Sequence, residues 1–240
     1  MKLLLKLEKE DAENLRYLFG KYENHPDVLI RIKRLEKPLE LSKENIWKQI
    51  ITCLVTSQQR SGKNSKVGKF LRIEPFPLSY QKCLNQNNLQ SYASTQISQN
   101  GLRFRNRIPR YIVTNLSKLE KYGWGELDKL FDNITSSTSN RKEVERIVAG
   151  KIGEMLKGFG PKQSRHLLLG LGLAKYEIPI DSRILKWIDS RLKEGYIPTQ
   201  ALSNERFFCF ILDKFHELCR EADMLPAVAD VLLFVDADNK

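Results

Sequence analysis

A lysine that closes a glycine-framed turn and an aspartate that opens a helix are the residues best placed for chemistry. Gly158-Phe159-Gly160-Pro161-Lys162 follows a helical run ending near Leu156, and Asp181 stands nineteen positions beyond Lys162, after Ile178-Pro179-Ile180. A hairpin between two helices turns backbone N–H groups outward, where they can hold a phosphate. Lys162 beside it has two readings. As a hydrated ammonium it is a phosphate contact. Partly buried at a helix N-terminus, where dipole and desolvation both disfavour the charge, a neutral amine can attack carbon.

The Asp181 carboxylate can accept from the free N–H groups of the helical turn that follows, which holds it ionised. As a plain N-cap it contributes about 1 kcal/mol; the same rigid placement suits it to stabilise a cationic sugar centre or a developing iminium. Arg183, two residues on, either reaches a phosphate oxygen or remains an exposed helix charge. His166, four residues after Lys162 and so on the same helix face, reads by itself as a packed or surface histidine.

Helical periodicity dominates the elements that must position these groups, and sustained strand alternation is absent, so the expected fold class is all-α. Ser42 can cap a helix whose apolar stripe is Ile46, Trp47, Ile50, Ile51, Leu54 and Val55. Its last turn runs into the polar stretch Thr56-Ser57-Gln58-Gln59-Arg60-Ser61-Gly62-Lys63, before Val67, Phe70 and Leu71 resume the pattern. Residues 72–100, rich in Pro, Asn, Gln and Ser, predict short helices and loops. A basic knot, Gly101-Leu102-Arg103-Phe104-Arg105-Asn106-Arg107, precedes Pro109, which suits a first helical turn. Residues 133–140 predict a polar break, with Ser139 or Asn140 capping the helix that leads to the hairpin. After Asp181, Ile184, Leu185, Ile188 and Leu192 mark an amphipathic helix, followed by an aromatic-rich helix over 204–219 and a shorter one over 226–235.

Forty Lys and Arg against twenty-nine Asp and Glu leave a net charge of +11, which favours a polyanionic partner and steers it at long range. Cys53, Cys83, Cys209 and Cys219 are widely spaced and read as reduced, mostly buried thiols. The start of the chain lacks the apolar core of a signal peptide, and no stretch approaches the roughly 20 apolar residues that cross a bilayer. The expectation is an intracellular protein with no membrane contact, associated with a polyanion such as DNA.

Together, LKGFGPKQSRHLL and IPIDSRILKWI resemble the helix-hairpin-helix DNA glycosylase superfamily: a Gly-h-Gly hairpin, a lysine just after it in the lyase members, and an aspartate some eighteen or nineteen residues on. Upstream, LVTSQQRSGKNS is similar to the family's first barrel helix, whose end carries a residue that fills the hole left by an extruded nucleotide; Gln59 is the better match and Gln58 the next. Outside that resemblance both are ordinary polar residues of a helix terminus. GLRFRNRIPRYIVTNL and KQSRH resemble the 8-oxoguanine branch, with type 2-like features, and the two C-terminal cysteines fall short of the four that hold the iron-sulfur cluster of the endonuclease III branch.

The resemblance implies one catalytic unit over 1–240 built as two helical lobes flanking a DNA-binding cleft: about 46–160, and about 1–45 plus 161–240. It implies a bifunctional glycosylase and abasic-site lyase acting as a monomer on double-stranded DNA with a damaged base, most simply 8-oxoguanine, without metal or organic cofactor. Lys162 and Asp181 would be catalytic. Gly158, Gly160, Arg183, Gln58, Gln59, Arg60, Arg103 and Arg105 would bind DNA. Phe234 would stack on the extruded base, with Asp230 one turn earlier and His166 opposite; as an alternative, apolar helical spacing makes Phe234 a core residue. Two other functions stay open: a glycosylase for oxidised pyrimidines or alkylated bases, and a non-catalytic helix-hairpin-helix DNA-binding protein.

Overall fold

Helices supply all the regular structure among the described residues, 9–190 and 196–238, of the computed structural model. Leu192 and the leucines at the start of the chain lie outside them. Two short helices come first, α1 (Lys9–Tyr22) and α2 (Pro26–Glu36). Then α3 (Lys43–Val55) opens as its sequence predicts: Ser42 Oγ accepts from the Asn45 N–H at 3.3 Å, and the six apolar positions of its stripe are all buried. Ser65 does the same for α4 (Lys66–Leu71), accepting from Gly68 N–H at 2.9 Å. The Asn- and Gln-rich stretch holds α5 (Tyr80–Leu84) and α6 (Leu89–Gln99).

Pro109 falls in the first turn of α7 (Arg107–Lys118), as expected. That helix continues through a π-helical turn (Leu119–Gly123) into α8 (Trp124–Ser136). Here the structure corrects the expected polar break. Residues 133–136 are helical, because Leu130, Phe131 and Ile134 are buried and carry the last turn onto the core. The break shrinks to 137–140. Asn140 does occupy the N-cap of α9 (Arg141–Met155), but its side chain makes no capping bond.

The hairpin leads from α9 into α10 (Pro161–Leu171), and an extended segment then reaches α11 (Ser182–Asp189). A 3₁₀ turn (Thr199–Ser203), α12 (Glu205–Glu221) and α13 (Pro226–Asp238) complete the chain. Two packing groups result. In the first, α3 packs on α10, α10 on α9, α9 on α8, and α7 on α6. In the second, the apolar α13 is the hub for α1, α2, α11 and α12. Although it lies beyond residue 160, α10 packs on α3 and α9 and so belongs with the first group. Arg34 Nη1 donates to Gly170 O at 3.1 Å, and Leu39 N–H to Leu171 O at 3.0 Å, fastening α2 to the end of α10.

A buried polar network shapes the segment between α10 and α11. Glu145, with no exposed surface, accepts from three successive backbone N–H groups, Lys175 at 3.0 Å, Tyr176 at 2.8 Å and Glu177 at 3.0 Å, and from Arg141 Nε at 3.0 Å. Arg165 and Glu177, both fully buried, pair at 2.7 Å. Arg165 also donates to Pro161 O at 3.0 Å and to Glu205 at 2.7 Å. Arg146 joins Glu177 at 2.9 Å to Asp213 at 2.7 Å, and His216 Nε2 donates to Tyr176 O at 2.8 Å.

Because Glu145→Ala strands three buried N–H donors and the Arg141 charge, it should destabilise the fold by about 3–5 kcal/mol. Thermal unfolding would then show a melting temperature lower by about 10 °C or more; a shift of about one degree would mean the segment is held elsewhere.

Candidate active site

The hairpin is set by α7. Asn115, wholly buried, accepts from Lys157 N–H at 2.7 Å and returns Nδ2–H to Lys157 O at 3.0 Å, while Lys118 Nζ donates to Met155 O at 2.9 Å. Phe159 is buried as the apolar residue of the turn. Gly158 has φ +86°, and a Cβ there would lie 2.3 Å from Tyr111 Cδ2, so both conformation and space demand glycine. Gly160 is different. Its backbone is extended, φ −130° and ψ −169°, and a Cβ would meet no protein atom within 4 Å. Pro161 takes the first position of α10, Lys162 the second, and the opening N–H groups of a helix have no partner within it.

Asp181 caps α11 as expected. Its Oδ1 accepts from the N–H groups of Arg183 at 2.8 Å and Ile184 at 3.2 Å, and its Oδ2 accepts from Arg183 Nε at 2.8 Å. Burial works against its charge, yet the Arg183 bonds, the Arg183 charge and the Lys162 ammonium hold it below the usual carboxylate range. Arg183 is half-buried rather than an exposed helix charge. The guanidinium turns inward onto Asp181 and lies 4.2 Å from the centre of the Phe234 ring, because a buried carboxylate two residues away is the nearer anion.

Of the three residues predicted for a pocket, Phe234 lies against Arg183, and the charges of Asp181 and Arg183 act on His166 and Asp230. His166 is pushed down to about 3, by burial first and then by the charges of Lys162 and Arg31, so it is a neutral imidazole. Asp230 is pushed up to about 6 by burial, with Asp181 adding to the shift and Arg31 opposing it. Phe234, half-buried one turn later on α13, lies under Arg183 rather than in the core proper. Arg31 of α2, 3.4 Å from Asp230, carries no local signal in the sequence.

A second cluster joins the end of α3 to the start of α7. Gln59, the expected stack-filling residue, has both ends of its amide engaged: Nε2 donates to Val55 O at 2.7 Å and Oε1 accepts from Arg103 N–H at 2.8 Å. Gln58 is the exposed one, with a left-handed φ of +53°, and only its carbonyl is tied, to Arg103 Nη1 at 2.9 Å. Arg60 and Arg105 are exposed. Phe104, in the basic knot, also has a left-handed φ, +62°, and the guanidinium carbons of Arg103 and Arg107 lie 5.0 Å and 4.0 Å from its ring centre. The two left-handed residues thus lie at adjoining loop tips joined through Arg103.

A family model described as 8-oxoguanine DNA glycosylase, of the Ogg-HhH type, matches residues 29–224. Among solved structures, the 8-oxoguanine DNA glycosylase of Thermotoga maritima superposes with a TM-score of 0.73 at 15% identity, covering 97% of this chain and 99% of that one. The 8-oxoguanine DNA glycosylase of Methanocaldococcus jannaschii gives 0.71 at 17% identity, covering 95% and 94%. The glycosylase/lyase of the same archaeon in complex with a 15mer DNA containing 8-oxoguanine gives 0.68 at 16% identity, covering 94% and 98%. At such identities the likeness establishes the helical fold. A search of curated proteins returns no match.

His166 and His216, pushed down to about 3 and about 4 from an ordinary value near 6.5, are neutral when folded and accept protons first in the unfolded chain. Their contribution is complete above pH 6.5 and is lost as pH falls through that window toward 4. Urea midpoints measured across this range should decline, and His166→Gln should flatten part of the slope; an unchanged slope would mean His166 titrates alike in both states.

Proposed function

The chain belongs to the 8-oxoguanine DNA glycosylase family, and from that premise we propose that it excises 8-oxoguanine from duplex DNA and then nicks the strand, one chain serving one lesion. One observation carries this reading: Lys162 and the capped Asp181 open two separate helices whose charges act on one another and on the His166 and Asp230 side chains.

In this reading the hairpin grips a phosphate of the damaged strand through its free N–H groups, and the bare Cα of Gly160 lets the strand approach. Exposed Arg60 and Arg105 add salt-dependent contacts along the cleft between the helical groups. Gln58, aided by Phe104, enters the stack as the damaged nucleotide swings out, at a cost that is smallest for a damaged or mispaired base. The base then lies against Phe234.

Lys162 Nζ, as the free amine, attacks C1′ while the glycosidic C–N bond breaks and its electron pair leaves with the base. Asp181, held ionised by Arg183, stabilises the positive charge that develops on the sugar. Opening of the sugar ring gives the Schiff base. Loss of a C2′ proton then expels the 3′ phosphate, which is β-elimination.

Borohydride should trap a covalent adduct of the wild type on 8-oxoguanine duplex, whereas Lys162→Gln should give no adduct and no nick; a variant that still traps would remove Lys162 from this role. Asp181→Asn should keep DNA affinity within a few-fold and lower turnover about 10²–10³-fold, the scale of a lost transition-state charge contact. Gln58→Ala should slow excision more than Gln59→Ala under single-turnover conditions, unless Gln59 leaves its two partners on binding DNA.

A further inference from the structure

Asp238 stands where helix electrostatics disfavour it. It ends the last turn of α13, exposed, and the C-terminal end of a helix is its negative pole, which repels an acid. Asp236, in the same turn, is held within its own packing group, 3.7 Å from Lys21 Nζ and accepting from Tyr22 Oη–H at 3.1 Å. Asp238 reaches out of that group. A Cβ placed on Gly62 would lie 2.7 Å from Asp238 Oδ2 and 3.3 Å from Oδ1, so both carboxylate oxygens lie against the loop that follows α3, and the missing side chain of Gly62 leaves them room.

The shape of that loop is set by its own neighbours. Gly62 O accepts from Ser65 N–H at 2.9 Å, a Cβ on Gly68 would lie 2.4 Å from the same oxygen, and Arg72 donates to the next carbonyl, Lys63 O. Arg60, Lys63 and Lys66 are exposed around Gly62. A fixed backbone turn flanked by cations attracts a phosphate. The anion that the fold sets against it is the Asp238 carboxylate.

The contact falls at a sensitive place. On α13, Asp230, Phe234 and Asp238 recur every four residues and share one face. Phe234 on that face lies under Arg183, the partner of Asp181. Because α13 is the hub of the second packing group and the Gly62 loop continues from α3 of the first, the two groups touch here, one turn beyond Phe234. A bridge at that point shuts one end of the cleft in which a strand would lie.

We propose that Asp238 is an autoinhibitory latch, its carboxylate holding α13 against the Gly62 loop where a backbone phosphate of duplex DNA would otherwise lie. Resting on the DNA-binding part of the reading above, it makes closure of the free protein and grip on DNA alternatives. A strand displaces Asp238 by offering a phosphate to the same basic loop. The closed fraction lowers affinity for every duplex, damaged or not, and leaves the chemical step untouched.

The whole chain carrying Gly62→Cys with Asp238→Cys tests the latch directly. Asp238 Cγ, the position a cysteine sulfur would take, is 3.4 Å from the Cβ built on Gly62, within reach of a disulfide. Mild oxidation should couple the two, the four native thiols being buried or half-buried. The oxidised form should then bind an undamaged duplex about tenfold or more weakly than the same protein after reduction. Removing the charge alone is the second arm. Asp238→Asn should tighten binding of undamaged and 8-oxoguanine duplexes alike, about fivefold at low salt and less as salt rises, with the single-turnover nicking rate at saturating protein within about twofold. Glu126→Gln, the same change of net charge at an exposed position of α8, should leave affinity within about twofold. Failure of the two cysteines to couple would overturn the proposal, as would an oxidised form that binds DNA as tightly as its reduced form. Equal tightening by Glu126→Gln would also overturn it, since net charge would then account for the Asp238 effect. A wild type that binds duplex yet never nicks an 8-oxoguanine strand would sink the excision reading, while the latch would stand or fall on the affinities alone.

Discussion

The distance between two helix openings depends on one buried ion pair. Arg165 lies three residues after Lys162 on α10, and Glu177 lies four residues before Asp181, so their 2.7 Å contact cross-links the helix that carries the lysine to the segment that delivers the aspartate. Arg165 also binds Pro161 O, which fixes the opening turn of α10 itself. Taking both charges out of water is expensive, and an apolar pair of the same volume would often stabilise the fold as well or better. What an apolar pair lacks is direction. Glu145, with its three N–H bonds to residues 175–177, then sets the path of the chain toward α11.

Within that frame, two carboxylates meet opposite electrostatic fates. Asp181 receives two backbone N–H groups and a guanidinium and stays ionised, whereas Asp230, with a looser partner in Arg31 and Asp181 nearby, is pushed up to about 6. Neighbouring acids whose environments drive them apart take different roles. Arg183 links the two halves of the site: its charge holds Asp181, and its flat face covers Phe234.

Features written in short-range signals were legible in the sequence. The hairpin follows from Gly158, Gly160 and Pro161, the caps from Ser42 and Asp181, and the buried face of α3 from its periodicity. The identity of the pocket residues came from resemblance; in the structure Phe234 lies under Arg183, and His166 and Asp230 feel the charges of Arg183 and Asp181. Errors arose where a local rule competed with tertiary contacts. The break expected at 133–140 lost to burial of Ile134, and the bond that ties Gln59 to Arg103, from a loop more than forty residues away, had no local signal. Arg31, Asn115, Glu145 and Arg165 have no local signature. Each looks like a surface residue until chain folding brings its partner from a distant element.

Arg103 donates to the Gln58 carbonyl from its side chain and to the Gln59 amide from its backbone, so two loops far apart in sequence are joined into one tip. The consequence concerns search along DNA. A probe whose shape is settled during folding has little left to order when it meets each base pair, and loop closure need not be repeated at every step. On the proposed reading, the dwell time at each pair would then follow the opening of the pair itself, and weakly stacked lesions would be found by their own instability.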